Sequence, residues 1–321
     1  MTWSPCTLAW SRCGAVSEPL GVSELGPRAR QRRAYAYAAL TVCCWATVST
    51  AFKIGLRELH YAQLLFVANL TAVFVLAAML AFGGQFALLR ALPAREHLRS
   101  LGLGLMNPVI YYLLLFQAYG LLPAQVAQPV NYTWAIALSL LAVPLLGQRI
   151  GLAELAAAAI SYGGVVVISL GSAGPAGAVR WDGIALALVT TVVWALYWIA
   201  NSRARSDPVV RVFLNFLYAL PASALACGLL ANFSIPAGSG LAGAVWTGVF
   251  EMGLSFVFWQ RALLLSVNAA RVSNLVFATP FLALLPIALV LGEPIAPSTL
   301  PGMLLILGGL FVQQRFARRV T

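Results

Sequence analysis

Glu251 is the residue whose chemistry most needs an explanation. It lies near the middle of an apolar stretch, residues 241–262. Thr247, Glu251, Ser255 and Trp259 recur at every fourth position and so share one helical face. An ionised side chain at the centre of a bilayer costs about 2.5–3.5 kcal/mol on insertion scales, so such a group faces a wet cavity or a partner. Three chemistries fit: exchange of a proton, pairing with a substrate amine, and a structural hydrogen bond between helices. At a shift of 144 residues, Asn107 falls on Glu251, and Pro108 follows it. Proline removes a backbone donor and frees a carbonyl upstream. Broken helices of this kind are tolerated where backbone lines a cavity. One pocket built from symmetry-related depths is one reading, and a simple kink capped by Asn107 is the other.

Further candidates cluster in three stretches. Residues 124–146 carry Gln125, Gln128, Asn131, Tyr132 and Trp134, with Gln128 and Tyr132 on one face. Buried amides are costly without partners, which either a ligand or a neighbouring helix supplies. Tyr111 in the third stretch and Trp194 and Tyr197 in the sixth lie deep enough to line a cavity. An aromatic ligand stacking on them would gain about 0.5–1.5 kcal/mol per ring pair. Trp246 and Trp259 lie near stretch ends and read as interfacial belt residues. Asn274 in the ninth stretch joins the substrate-contact set, while Arg271 reads as a topology charge and Lys53 as a snorkelling one. Metal, hydrolytic and nucleotide-driven chemistry find no residues. The two histidines, His60 and His97, fall in loops, the five cysteines lack ligand spacing, and no phosphate loop is present. No cofactor or metal is expected, and no enzyme.

The elements that would position these residues are membrane spans. The chain has 321 residues, 61% hydrophobic and 9% charged, with a formal charge of +11. A soluble domain carries nearer a quarter charged residues, and a nucleic-acid-binding domain would not be so poor in charge. A span needs about 20 apolar residues. Ten stretches qualify: 34–53, 61–82, 100–121, 124–146, 151–171, 183–201, 210–231, 241–262, 269–291 and 298–316. With both termini cytoplasmic, only Lys53, Arg57 and Arg180 of the 20 basic residues fall outside, in keeping with the positive-inside rule. Most of the charge is therefore an orientation signal. Residues 1–33, with Pro5, Pro19, Pro27 and the basic run Arg28–Arg33, read as a disordered cytoplasmic tail.

The chain also repeats itself. At a shift of 145, Leu146-Gly147-x-x-Ile150 falls on Leu291-Gly292-x-x-Ile295, and Gly163-Gly164 falls on Gly308-Gly309. At 149, Trp45-Ala46 falls on Trp194-Ala195. The units are 34–171 and 181–316, and five spans in each force the second to enter the membrane inverted. Inverted repeats, a midplane site and rocking halves characterise secondary transporters. The glycine pairs read as close helix packing.

Two units with a first-helix tryptophan and a Leu-Gly-x-x-Ile…Gly-Gly ending resemble the drug/metabolite transporter superfamily, EamA type. Val130-Asn131-Tyr132-Thr133-Trp134, Trp194-Ala195-x-Tyr197 with Asn201, and Thr279-Pro280 resemble motifs of the bacterial aromatic amino-acid exporters. Ala135 stands where that motif has proline. The resemblance implies an all-α polytopic protein of the bacterial inner membrane that exports a small metabolite, amino acids and aromatic ones first, by alternating access. A cationic drug or sugar derivative is the alternative substrate, the bilayer is the surrounding partner, and a proton is the candidate coupling ion through Glu251.

Overall fold

The computed structural model describes residues 26–146, 151–171, 180–201, 207–267, 272 and 274–317, and the described residues are helical with short connections. Seven of these helices are long and apolar enough to cross a bilayer. They are α1 (Pro27–Glu58), α2 (Tyr61–Phe82), α3 (Ala94–Leu121), α4 (Ala124–Leu145), α6 (Trp181–Ala200), α7 (Val209–Leu230) and α8 (Ser239–Leu265). Three shorter apolar helices are α5 (Leu155–Gly171), α9 (Thr279–Leu291) and α10 (Thr299–Val312). Each of the ten predicted stretches thus holds one apolar helix. A helical turn, Phe86–Arg90, lies between α2 and α3.

Local chemistry sets the ends. Pro27 opens α1, where its missing N–H costs nothing. Residues 27–33, expected in the tail, are therefore helical, and residues 1–25 lie outside the described residues. His60 and Gln63 form a reciprocal cap on α2. Asp207 accepts from the N–H groups of Val209 and Val210 at 2.9 and 3.2 Å and starts α7.

Three helices are irregular in the middle. Asn107, immediately before Pro108, leaves the helical region (φ −144°, ψ 113°) and breaks α3. The regular path of α4 lapses between Asn131 and Trp134. Residues Thr247–Leu254 of α8 form a widened π-type turn that carries Glu251. Such insertions shift the facing of every residue beyond them.

The two units interlock. Helix α1 packs on α8 and α9, α2 on α7 and α8, α3 on α6 and α7, α4 on α6, and α5 on α10. Exchanging each helix of the first unit with its counterpart in the second maps this set of pairs onto itself, as a two-fold relation requires. The α5–α10 contact shows it at the atomic level. A Cβ placed on Gly164 would lie 2.5 Å from the Gly302 carbonyl oxygen, and one on Gly309 would lie 2.4 Å from that of Ala157. Between them the Ser161 hydroxyl donates to the carbonyl of Ile306, 145 residues away. Only the second glycine of each pair makes this approach, since Gly163 and Gly308 face open space.

Candidate functional site

Helical periodicity brings faces of five helices to one open-mouthed cavity. Helix α1 presents Trp45, Val48, Ser49 and Phe52 at offsets of three, four and seven. Helix α3 presents Tyr111, Leu115 and Tyr119 beyond its break, and α4 presents Gln128, Asn131, Tyr132 and Trp134 around its own. Trp194 and Trp198 enter from α6, Glu251 and Trp259 from α8, and Val276 from the 3-10 turn ahead of α9.

The walls are held by hydrogen bonds and ring contacts. The Ser49 hydroxyl donates to Gln128 Oε1 at 2.8 Å, which joins α1 to α4. Tyr111 donates to Asn131 Oδ1 at 3.2 Å, and Asn131 Nδ2 donates to the Thr190 hydroxyl at 2.9 Å. One amide thus fixes α3, α4 and α6 together. Tyr111 lies 4.7 Å from Trp194 between ring centroids, and Trp45 lies 5.8 Å from Trp259. Trp259 is therefore a cavity wall and not a belt residue, whereas Trp246 is exposed and donates to Thr47.

Glu251 is the one charged side chain among the lining residues. Tyr112 donates to its Oε1 at 3.0 Å, while Oε2 is buried without a partner. An ionised carboxylate can accept about four hydrogen bonds. The free oxygen leaves capacity for an ammonium or a proton.

Seven of the eleven predicted contacts meet here: Tyr111, Gln128, Asn131, Tyr132, Trp134, Trp194 and Glu251. Three do not. Ser255 is buried, and its hydroxyl turns back onto the Glu251 carbonyl and does not line the cavity. Tyr197 packs against the back of Trp194 and Trp198, fully buried and not lining the cavity, and accepts from Asn215 Nδ2 at 3.2 Å. Asn107 is buried beside Tyr197, so it does not share a pocket with Glu251. The Asn274 side chain and Arg271 lie outside the described residues. Gln125 is structural: it bonds Pro294, Ala296 and Thr299 in the turn before α10. Lys53 does not snorkel; its ammonium donates to the carbonyls of Tyr119 and Leu122 at the end of α3. Trp45, Ser49, Phe52, Tyr119 and Trp198 were missed. The four-residue spacings Trp45–Ser49 and Trp194–Trp198 are the signal that could have found them.

Residues 32–170 and 181–313 each match the EamA-like transporter family. The chain belongs to that family. Its two EamA-like segments coincide with the two interlocked units. Among relatives, an uncharacterized protein of Pseudomonas aeruginosa is 35% identical over 53% of this chain and 58% of its own length. The aromatic amino acid exporter YddG of Ancylobacter novellus is 30% identical over 65% of this chain and 73% of its own. An uncharacterized transporter of Archaeoglobus fulgidus is 27% identical over 86% and 97%. A solved crystal structure superposes with a TM-score of 0.63, at 24% identity, over 89% of this chain and 98% of that one. The family is one of membrane transporters, not enzymes.

Proposed function

We propose that this transporter exports aromatic amino acids across the bacterial inner membrane by alternating access, exchanging them for protons at Glu251. The orientation adopted is ten spans with both termini cytoplasmic, from the bias of the arginines. The observation that carries the reading is a cavity walled by aromatic rings around one carboxylate with an unsatisfied oxygen. The aromatic part of a substrate stacks between the Tyr111–Trp194 and Trp45–Trp259 walls. Its ammonium pairs with Glu251, and its carboxylate takes hydrogen bonds from the Gln128 and Asn131 side of α4. Substrate and proton then compete for one carboxylate, which couples their opposite movements. Similarity to an aromatic amino acid exporter supports the substrate class.

One observation favours a second reading. Among the described residues no lysine or arginine lines the cavity to meet a carboxylate, so an aromatic amine without one fits the charge balance. Proteoliposome transport separates the two: tryptophan and tryptamine are loaded separately under an imposed pH gradient. The first reading expects saturable tryptophan movement that Glu251→Gln reduces at least tenfold. Movement of tryptamine alone supports the second, and full gradient-driven transport by Glu251→Gln overturns the proton role in both.

A further inference from the structure

Behind the cavity wall lies a second set of buried polar groups that the transport reading does not use. Asn215 on α7 donates to the Tyr197 hydroxyl at 3.2 Å, and Asn107 at the break of α3 stands beside the same hydroxyl. All three residues are fully buried. Oδ1 of Asn215 has no hydrogen-bond partner, and the Asn107 side chain has none beyond the Tyr197 hydroxyl. Arg211, one helical turn before Asn215, is also buried and sits near Tyr197 at the start of α7. Deeper along α3, Tyr112 is fully buried, does not line the cavity, and donates to Glu251. Apolar packing would serve these positions at less cost, because an unsatisfied buried polar atom forfeits the hydrogen bonds it would make to water. Buried polar atoms left over in this way are the usual berths of internal water, which needs two to four polar partners.

We propose that this column, from Arg211 through Asn215, Tyr197 and Asn107 to Tyr112, is a proton route between the cytoplasm and Glu251, separate from the cavity that takes the substrate. The inference rests on Glu251 as the proton site and on the orientation adopted above. Glu251 is the junction: it lines the cavity, and its Oε1 is bonded to the last member of the column. On release, the Glu251 proton passes to the Tyr112 oxygen while the Tyr112 proton moves on to water held by Asn107. The phenol is unchanged, and the net result is one carboxylate and one proton delivered to the cytoplasm. Tyr197 passes it on in the same way, and the two asparagines orient water without changing charge. Glu251 is also faced by Tyr111 and Tyr119 of α3, Tyr132 of α4 and Cys44 of α1. Helix α2 carries no titratable residue but Tyr61 at its start, and α7 contributes Arg211 through Tyr197. None of these links Glu251 to the cytoplasmic end of α7 except the column.

Full-length protein in liposomes tests this with two readouts, substrate–substrate exchange at equal pH and accumulation driven by a pH gradient. Asn215→Leu is expected to keep exchange within about twofold and to lose gradient-driven accumulation at least tenfold. Asn215→Ser restores a polar group and is expected to recover most of it, which a packing defect would not allow; thermal melting of each variant checks the fold. Accumulation that survives in Asn215→Leu but is abolished by Glu251→Gln overturns the route alone. Parallel loss of exchange and accumulation, unrelieved by Asn215→Ser, overturns it as well. Wild-type transport indifferent to pH overturns the route together with the proton reading of Glu251.

Discussion

At the residue level, the site combines one costly group with many inexpensive ones. Glu251 is retained in an apolar helix, and the aromatic rings around it supply area, shape and a polarisable wall. Trp194 touches Tyr111, Tyr197, Trp198 and Phe256, so it is the keystone of that wall. Trp194→Ala is expected to raise the KM for an aromatic substrate about tenfold, since one lost ring pair is worth about 0.5–1.5 kcal/mol. Trp194→Phe should raise it only about twofold, and initial uptake rates against substrate concentration check both. Glu251 was legible in the sequence because a carboxylate between apolar residues has no solvent-facing excuse. Asn107 and Tyr197 were legible as polar anomalies but not as to location. Sequence depth gives a residue's height in the membrane, while the break at Asn107 and the facing of α6 decide which side it meets.

At the level of elements, breaks and close approaches do the positioning. The four-residue stripe through Glu251 splits by side-chain reach: Glu251 and Trp259 line the cavity, while the short Ser255 hydroxyl is spent on the Glu251 carbonyl. That split is invisible to periodicity, which places faces and not side-chain ends. The glycine pairs were read as packing devices, and the structure refines the reading to one member of each pair. Gly164→Val and Gly309→Val are expected to push α5 from α10 and lower the melting temperature sharply, because the added atoms meet backbone. Gly163→Ala and Gly308→Ala meet open space and are expected to be neutral or stabilising by up to about 1 kcal/mol through helix propensity. Thermal melts in detergent compare the four.

At the level of the whole molecule, repeat and composition anticipated ten apolar helices, and the interlocking of units was beyond their reach. A linear shift identifies counterparts but not neighbours, so nothing in the sequence placed α2 on α7 or α3 on α6. The orientation proposed above makes a direct prediction. A single cysteine replacing exposed Ala237, in the α7–α8 connection, should react with an impermeant maleimide from the periplasmic side. One replacing exposed Arg95, at the start of α3, should react only after the membrane is opened. The reverse pattern would invert the topology and with it the direction of transport.

The bond from Ser161 to Ile306 joins two residues that are each other's counterparts. Under a two-fold exchange of the units this contact maps onto its own location. A rocking transporter whose two end states swap the roles of its halves must remake contacts such as that of Glu293 with the start of α4. A contact on the axis has no second version to change into. On the alternating-access reading proposed above, the α5–α10 seam is therefore the fulcrum of the molecule. It can be made as tight as glycine allows without favouring either end state, and the freedom to move must be found elsewhere.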